Sequence, residues 1–194
     1  MTVLEDRIAM AESDNTITLD EMFERLEKMP VPEGYKVEIV EGTVFVSPQR
    51  DTHWEIVLDI VEQLRAKYPR RRVMSDVRID YPGHLNGFAT DVPVIAEGAV
   101  KTEGRWRCSD VDFVAEVISG GTAANDYGSK KTAYAKAEVP VYVIADPYKG
   151  ECLVCTHPND GRYAREAKAD FGEELDLLGT PVGLVLKTDE FPRD

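Results

Sequence analysis

Apolar and polar positions along the first third of the chain predict a short helix followed by a β-hairpin. The segment that begins at Thr18 fits a capping box, in which Thr18 pairs with Glu21, and apolar residues follow it at helical spacing. Next, Tyr35 to Val40 and Thr43 to Val46 are two strand-like runs joined through Glu41-Gly42. A two-residue turn between such runs is typical of a β-hairpin.

The hairpin is followed by the longest helical pattern in the sequence. A second capping box, Thr52 to Glu55, predicts where this helix begins. Its predicted apolar face consists of Trp54, Val57, Leu58, Val61, Leu64 and Tyr68. We expect this face to pack against the core.

The middle of the chain alternates apolar strands with helices. The predicted strands are Val73 to Tyr81, Gly87 to Ala96, Val111 to Ser119 and Val139 to Ala145. Gly120-Gly121-Thr122 leads into a predicted helix of about 15 residues, around Ala123 to Ala137. This order predicts an α/β fold, an α+β arrangement in which a mixed sheet is flanked by helices. At least one parallel crossover should connect the strand of Glu116 to that of Tyr142.

The size and composition of the chain indicate one domain. The 194 residues can form a single core, which we assign to residues 16–194, while the acidic residues 1–15 are predicted to be a flexible tail. No apolar run approaches the roughly 20 residues that span a bilayer, so we expect no membrane partner and a cytoplasmic location. The three cysteines are expected to be reduced thiols. Cys152 and Cys155 lie three apart on a predicted strand, so they should point to opposite faces.

The charge balance sets a limit on nucleic-acid binding. The chain has 36 acids and 23 bases, and its net charge is −13. This charge opposes non-specific attraction to DNA unless the acids lie away from the binding face. Any binding to DNA is therefore expected to be weak unless one face of the protein is positive.

Two carboxylates stand out because each lies within an otherwise apolar strand pattern. They are Asp91, in Ala89 to Ala96, and Glu116, in Val111 to Ser119. A charged carboxylate in a buried strand is costly unless a metal, a cation or several hydrogen-bond donors compensate it. Two such acids on neighbouring strands indicate a divalent-cation site and metal-dependent phosphodiester hydrolysis.

Several sequence blocks resemble those of the Uma2-like restriction endonucleases, the DUF820 family within the PD-(D/E)XK nuclease superfamily. The resemblance runs from about Tyr35 to Thr156. The blocks, in order, are Val37 to Gly42, Val46-Ser47-Pro48, His53, Thr90-Asp91-Val92, Glu116 to Ser119, Thr122, Asp126, Lys130, Tyr134, Val139 to Tyr142 and Asp146-Pro147. Their order and spacing together carry the resemblance, since no single block is decisive.

The resemblance implies a restriction-endonuclease-like fold and a Mg²⁺-dependent site, in which Mn²⁺ is a possible substitute. Asp91 and Glu116 match the two metal-binding acids of the family, and the backbone carbonyl of Val117 is a third expected ligand. Glu38 and His53 match supporting positions. The implied activity is DNA cleavage by a Mg²⁺-activated water, and double-strand cleavage would be easiest for a homodimer.

The lysine of the superfamily motif is displaced in this chain. The superfamily pattern places it two residues after the glutamate, where this chain has Ile118, and Lys130 on the following helix matches the family position instead. Lys131 is the alternative, since periodicity alone does not choose between the two. Another departure is Pro93, which predicts an edge or bulged strand because proline cannot donate a ladder hydrogen bond.

Each of these residues also has a structural interpretation. Asp91 can cap a turn, and Glu116 and Lys130 can form a structural ion pair. Glu38 shares a strand face with Lys36 and is solvent-exposed in this alternative. The competing function is a catalytically silent or regulatory nuclease-fold protein that binds a protein or nucleic acid. A lysine buried away from solvent favours this second function.

Overall fold

The structure is a computed structural model that describes residues 17–31 and 33–194. The tail predicted for residues 1–15 lies outside the described residues. The elements in chain order are α1 (Leu19–Leu26), β1 (Tyr35–Val40), β2 (Thr43–Pro48), α2 (Asp51–Arg65), β3 (Val77–Tyr81), β4 (Asn86–Thr90), β5 (Val92–Ile95), β6 (Val111–Val117), α3 (Ala123–Asn125), a π-helical turn (Asp126–Lys130), α4 (Lys131–Lys136), β7 (Val141–Asp146), β8 (Glu151–Asn159), β9 (Arg162–Asp170), β10 (Leu175–Asp176) and β11 (Val185–Leu186). Within these residues, no helix is both long enough and apolar enough to cross a membrane.

The N-terminal helix and hairpin form as predicted. The capping box of Thr18 and Glu21 is present at α1. Strands β1 and β2 pair antiparallel around Glu41 and Gly42, whose φ angles are 49° and 74°. Two positive φ angles are typical of the type I′ turns that close two-residue hairpins. The hairpin is one edge of a four-stranded antiparallel sheet with the order β2-β1-β4-β3.

The second sheet has five strands in the order β5-β6-β7-β8-β9. Only β6 and β7 are parallel, and the chain between them forms α3, the π-helical turn and α4. The predicted mixed sheet with one parallel crossover is therefore confirmed. Strand β5 lies at the edge of the sheet with a register shift after Val94, as predicted from Pro93.

The prediction of one continuous strand from Gly87 to Ala96 is wrong. The run divides at Asp91 into β4, which pairs with β3, and β5, which pairs with β6 in the other sheet. Both halves are largely buried, so the alternation of residues does not reveal that the chain changes sheets. The consequence is that Asp91 lies at the junction of the two sheets.

The five-stranded sheet has a hydrophobic core on each face. Helix α2 and the C-terminal segment cover one face, while α4 and the four-stranded sheet cover the other. Cys152 and Cys155 point to opposite faces, since Cys152 belongs to the first core and Cys155 to the second. Glu116 lies on β6 between Ala115 and Val117, which face the α2 side, so its side chain points towards α4 and β1.

Two details of α2 differ from the prediction. The helix begins after Arg50, and Thr52 lies inside its first turn, where its hydroxyl donates to Asp194 Oδ1 at 2.7 Å instead of capping. Trp54 and Leu58 are 51% and 40% exposed. The buried residues of the helix are His53, Ile56, Val57, Ile60, Val61 and Leu64. Val57, Val61, Leu64 and Tyr68 of the predicted face are buried as expected, whereas Ile56 and Ile60 face the sheet in place of Trp54 and Leu58.

The burial of Ile56 and the exposure of Leu58 on α2 lead to a prediction about the free energy of unfolding. Ile56→Ala should lower the free energy of unfolding by about 2–5 kcal/mol, because Ile56 is fully buried in the core beneath α2. Leu58→Ala on the same helix is the matched control and should change it by less than about 1 kcal/mol. Urea denaturation monitored by circular dichroism measures both. A larger decrease in the free energy of unfolding for Leu58→Ala than for Ile56→Ala would contradict the observation that Ile56 is the buried residue of the two.

Candidate active site

Titratable side chains from five elements meet in one buried cluster at the junction of the two sheets. These elements are β1, the N-terminal part of α2, the connection between β4 and β5, the end of β6 and the π-helical turn. The side chains are Lys36, Glu38, His53, Asp91, Glu116, Asp126 and Lys130, and all seven are buried. The five site residues predicted from their side chains are therefore brought together, and Lys36 and Asp126 join them.

Asp91 is at the centre of this cluster because of the strand switch. Strand β5 begins at Val92, opposite Ala115, so Val117 on β6 extends beyond the end of β5. The Asp91 carboxylate takes the place of the missing strand, since its Oδ2 accepts the Val117 N–H at 2.8 Å. Oδ2 also lies 3.1 Å from His53 Nε2, and Oδ1 accepts from Lys36 Nζ at 2.7 Å.

Glu116 is surrounded by donors on both of its carboxylate oxygens. Oε1 accepts from the Tyr134 hydroxyl and lies 2.9 Å from Lys130 Nζ. Oε2 accepts from Lys36 Nζ and from the Asp91 backbone N–H, both at 3.4 Å. The Asp91 and Glu116 carboxylates thus share one cation, which is the Lys36 ammonium.

The π-helical turn directs Lys130 into the cluster. The sequence predicted a regular helix here, but Asp126–Lys130 forms a π turn between α3 and α4. Such turns are rare and recur at functional sites. Lys130 Nζ lies 2.9 Å from Asp126 Oδ1 and 3.2 Å from Glu38 Oε1. Lys131 points elsewhere, with its Nζ 2.7 Å from Glu166 Oε1.

Lys36 is the member of the cluster that the sequence did not identify. Alternation along β1 places Lys36, Glu38 and Val40 on one face, and solvent exposure of that face was one alternative. The structure instead buries it, leaving Lys36 9% and Glu38 7% exposed. Val40 on the same face was the available indication, because an apolar residue at the end of this row favours an inward face.

The surroundings of the two central acids, Asp91 and Glu116, shift their pKa values in opposite directions. Burial raises the pKa of Glu116 to about 8, although the charges of Lys130 and Lys36 oppose this change. Burial also disfavours ionisation of Asp91, but Lys36 and His53 hold its pKa well below the ordinary value. At neutral pH, Asp91 is therefore the permanently ionised acid, whereas Glu116 can exchange a proton.

Lys130 is held in its charged form. Burial favours the neutral amine, but the carboxylates of Asp126, Glu116 and Glu38 raise its pKa well above the ordinary value. In this arrangement Lys130 is an ammonium that donates hydrogen bonds and stabilises negative charge. It is not a base that accepts a proton from water.

The cluster forms the floor of a narrow cleft with about 270 Å³ of empty space, including its open mouth. The cleft is also lined by the polar residues Ser47, Gln49, Ser119 and Thr122. Within the described ranges, no three His, Cys, Asp or Glu side chains stand in metal-binding geometry. Carboxylate oxygens are nevertheless the donors that Mg²⁺ and Mn²⁺ prefer, so the donor chemistry fits such an ion. The Lys36 ammonium stands between the two acids that would bind it.

Comparisons with known proteins agree on the family and the fold. The family model of Uma2, described as a putative restriction endonuclease, matches residues 20–189. A crystal structure of a putative nuclease belonging to DUF820 from Anabaena variabilis is similar, with a TM-score of 0.68 and 17% sequence identity. The match covers 90% of this chain and 97% of that chain. No curated protein sequence matches this chain significantly.

Proposed function

Because the chain belongs to the Uma2 family, we propose that it is a metal-dependent endonuclease that hydrolyses phosphodiester bonds in DNA. The observation that carries this proposal is the convergence of Asp91, Glu116 and Lys130 in one cleft. These are the residues implied by the family resemblance, and three separate elements contribute them.

The proposed metal ligands are Asp91, Glu116 and the backbone carbonyl of Val117. A divalent cation, Mg²⁺ or Mn²⁺, would supply an activated water and neutralise charge on the scissile phosphate. Asp91 suits this role because its low pKa keeps it ionised. His53 positions the Asp91 carboxylate from α2 through the contact at Oδ2.

Lys130 is proposed to stabilise the negative charge that builds up on the phosphate during hydrolysis. Its ammonium is fixed by Asp126 and Glu38, so it needs little reorganisation when that charge develops. Glu38 therefore supports the site by holding Lys130 rather than by binding substrate. These contacts account for the inward position of both residues.

The neutral polar residues that line the cleft suit a phosphodiester backbone. Ser47, Ser119 and Thr122 offer hydroxyl groups, and Gln49 offers an amide, in the same cleft as the acids. Such neutral donors commonly contact phosphate oxygens without reading base sequence. The net charge of −13 makes weak, salt-sensitive DNA binding the expectation, and a homodimer would place two such clefts on one duplex.

A specific observation also favours the second candidate function, a catalytically silent protein that binds a partner. Lys130 is only 2% exposed, and lysine ammoniums already compensate the cluster's carboxylates. This arrangement is what a purely structural ion network would look like. The two functions differ in one measurable property, which is metal-dependent cleavage.

Nicking of supercoiled plasmid by the purified protein distinguishes the two functions. We expect open-circular DNA to accumulate with millimolar Mg²⁺ or Mn²⁺, and excess EDTA to stop the reaction. Asp91→Asn purified in the same way is the control against contaminating nuclease, because it should lose the activity. Asp112→Asn is the matched carboxylate control: Asp112 lies on β6 but pairs with Arg72 at 2.9 Å outside the cleft, so this variant should cleave normally. Equal nicking with and without EDTA, or none with either metal, would support the silent alternative.

A further inference from the structure

Lys36 occupies a position that a bound cation would otherwise take. Its Nζ lies 2.7 Å from Asp91 Oδ1 and 3.4 Å from Glu116 Oε2, so one ammonium bridges the two proposed metal ligands. Lys130 does not duplicate this bridge, because its described partners are Glu116, Glu38 and Asp126. Lys36 is therefore the cation that directly neutralises Asp91.

The surroundings of Lys36 explain why an ammonium is needed there. Four carboxylates, those of Glu38, Asp91, Glu116 and Asp126, are buried together with only two lysine ammoniums. Buried carboxylates repel one another strongly when no cation lies between them. With Lys36 in place the two sheets can pack at their junction before any metal binds.

In this position the Lys36 ammonium competes with a metal ion for the space between Asp91 and Glu116. Two cations cannot both occupy the space between Asp91 and Glu116, and a divalent ion a few ångströms from an ammonium is strongly repelled. The lysine side chain is a flexible four-carbon stem, so its ammonium can leave without movement of β1. Binding of the ion then requires the Lys36 ammonium to move away.

We propose that Lys36 is a built-in competitor of the metal ion, which holds the Asp91–Glu116 pair together until a divalent cation displaces it. Lys36 thereby sets the metal concentration at which the site fills. This inference rests on the proposed function, because it takes Asp91 and Glu116 as the metal ligands. It adds a residue that weakens metal binding and strengthens the metal-free fold.

The test measures Mn²⁺ affinity by isothermal titration calorimetry and thermal stability with and without Mn²⁺. Lys36→Met keeps the unbranched side chain, shorter by one atom, and removes its charge, and it should bind Mn²⁺ at least about tenfold more tightly than the wild type. Its melting temperature should fall without metal and rise more than that of the wild type on adding Mn²⁺. Lys36→Gln, which retains hydrogen-bond donors for the carboxylates, should show the same direction.

Two further variants test whether the change in Mn²⁺ affinity arises at the Asp91–Glu116 site. Lys131→Met is the matched control, since this ammonium pairs with Glu166 away from the cleft, and its Mn²⁺ affinity should equal that of the wild type. Adding Asp91→Asn to Lys36→Met should abolish the gain. A Lys36→Met protein that folds only with Mn²⁺ would also support the proposal, because the metal then replaces the ammonium.

The outcomes separate this inference from the function on which it rests. Equal or weaker Mn²⁺ binding by both Lys36 variants, in a wild type that binds Mn²⁺ and nicks plasmid, overturns the inference alone. Variants that stay unfolded even in millimolar Mn²⁺ overturn it as well. If the wild type and all variants bind no Mn²⁺ and the wild type does not nick plasmid, the metal site and the inference both fail.

Discussion

Asp91→Asn is expected to lose both metal binding and DNA cleavage. The change removes the charge of the carboxylate whose pKa is held well below its ordinary value, while the remaining side-chain oxygen can still accept the Val117 N–H. Cleavage should fall by at least about 10³-fold, because a bound divalent cation contributes several kcal/mol of transition-state stabilisation. The two measurements are plasmid nicking and Mn²⁺ titration.

The control for this prediction is the same change at a carboxylate outside the cleft. Asp112→Asn on β6, whose partner is Arg72, should bind Mn²⁺ and nick plasmid as the wild type does. Circular dichroism establishes that both variants are folded. A folded Asp91→Asn protein that still cleaves at the wild-type rate would exclude Asp91 as a metal ligand.

Lys130→Ala is expected to abolish cleavage while leaving metal binding largely intact. Lysine is not a metal ligand, so its loss removes charge stabilisation of the phosphate and not a ligand. The expected decrease in cleavage is on the order of 10²–10³-fold. Because Lys130 compensates three buried carboxylates, the free energy of unfolding should also fall, by about 3–5 kcal/mol.

Lys131→Ala separates catalysis from a general effect of removing a lysine from this helix. The pair of Lys131 with Glu166 is partly exposed, so its loss should cost no more than about 1 kcal/mol of stability and leave cleavage unchanged. Loss of cleavage in Lys131→Ala with full activity in Lys130→Ala would mean that the other lysine is catalytic. Full cleavage activity in both variants would show that neither Lys130 nor Lys131 takes part in catalysis.

Local patterns in the sequence were sufficient to predict most of the fold. The turn at Glu41-Gly42 determines the first hairpin, and the apolar runs around Glu116 and Tyr142 predict the parallel pair β6 and β7. The isolated acids Asp91 and Glu116 pointed to the cluster because an uncompensated carboxylate is improbable in a buried strand. These features depend on residues that are close together in the sequence.

The features that were missed depend on contacts between distant segments. Burial of Lys36 depends on how β1 packs against β6 and the π-helical turn, which alternation along β1 does not encode. The break at Asp91 is invisible for a similar reason, because both flanking strands are buried and only their pairing with two different strands, β3 and β6, separates them. In α2, Trp54 and Leu58 competed with Ile56 and Ile60 as the inward face, and only the position of the sheet decides between them.

The location of a bound ion tests the central claim most directly. Crystals grown or soaked with Mn²⁺ allow the ion to be located by its anomalous scattering. We predict a peak within coordination distance, roughly 2.0–2.6 Å, of carboxylate oxygens of both Asp91 and Glu116. The Lys36 ammonium should have moved from its position between them. A well-occupied peak elsewhere, or no peak at this cleft in saturating Mn²⁺ with Lys36 still bridging the two acids, would contradict the account.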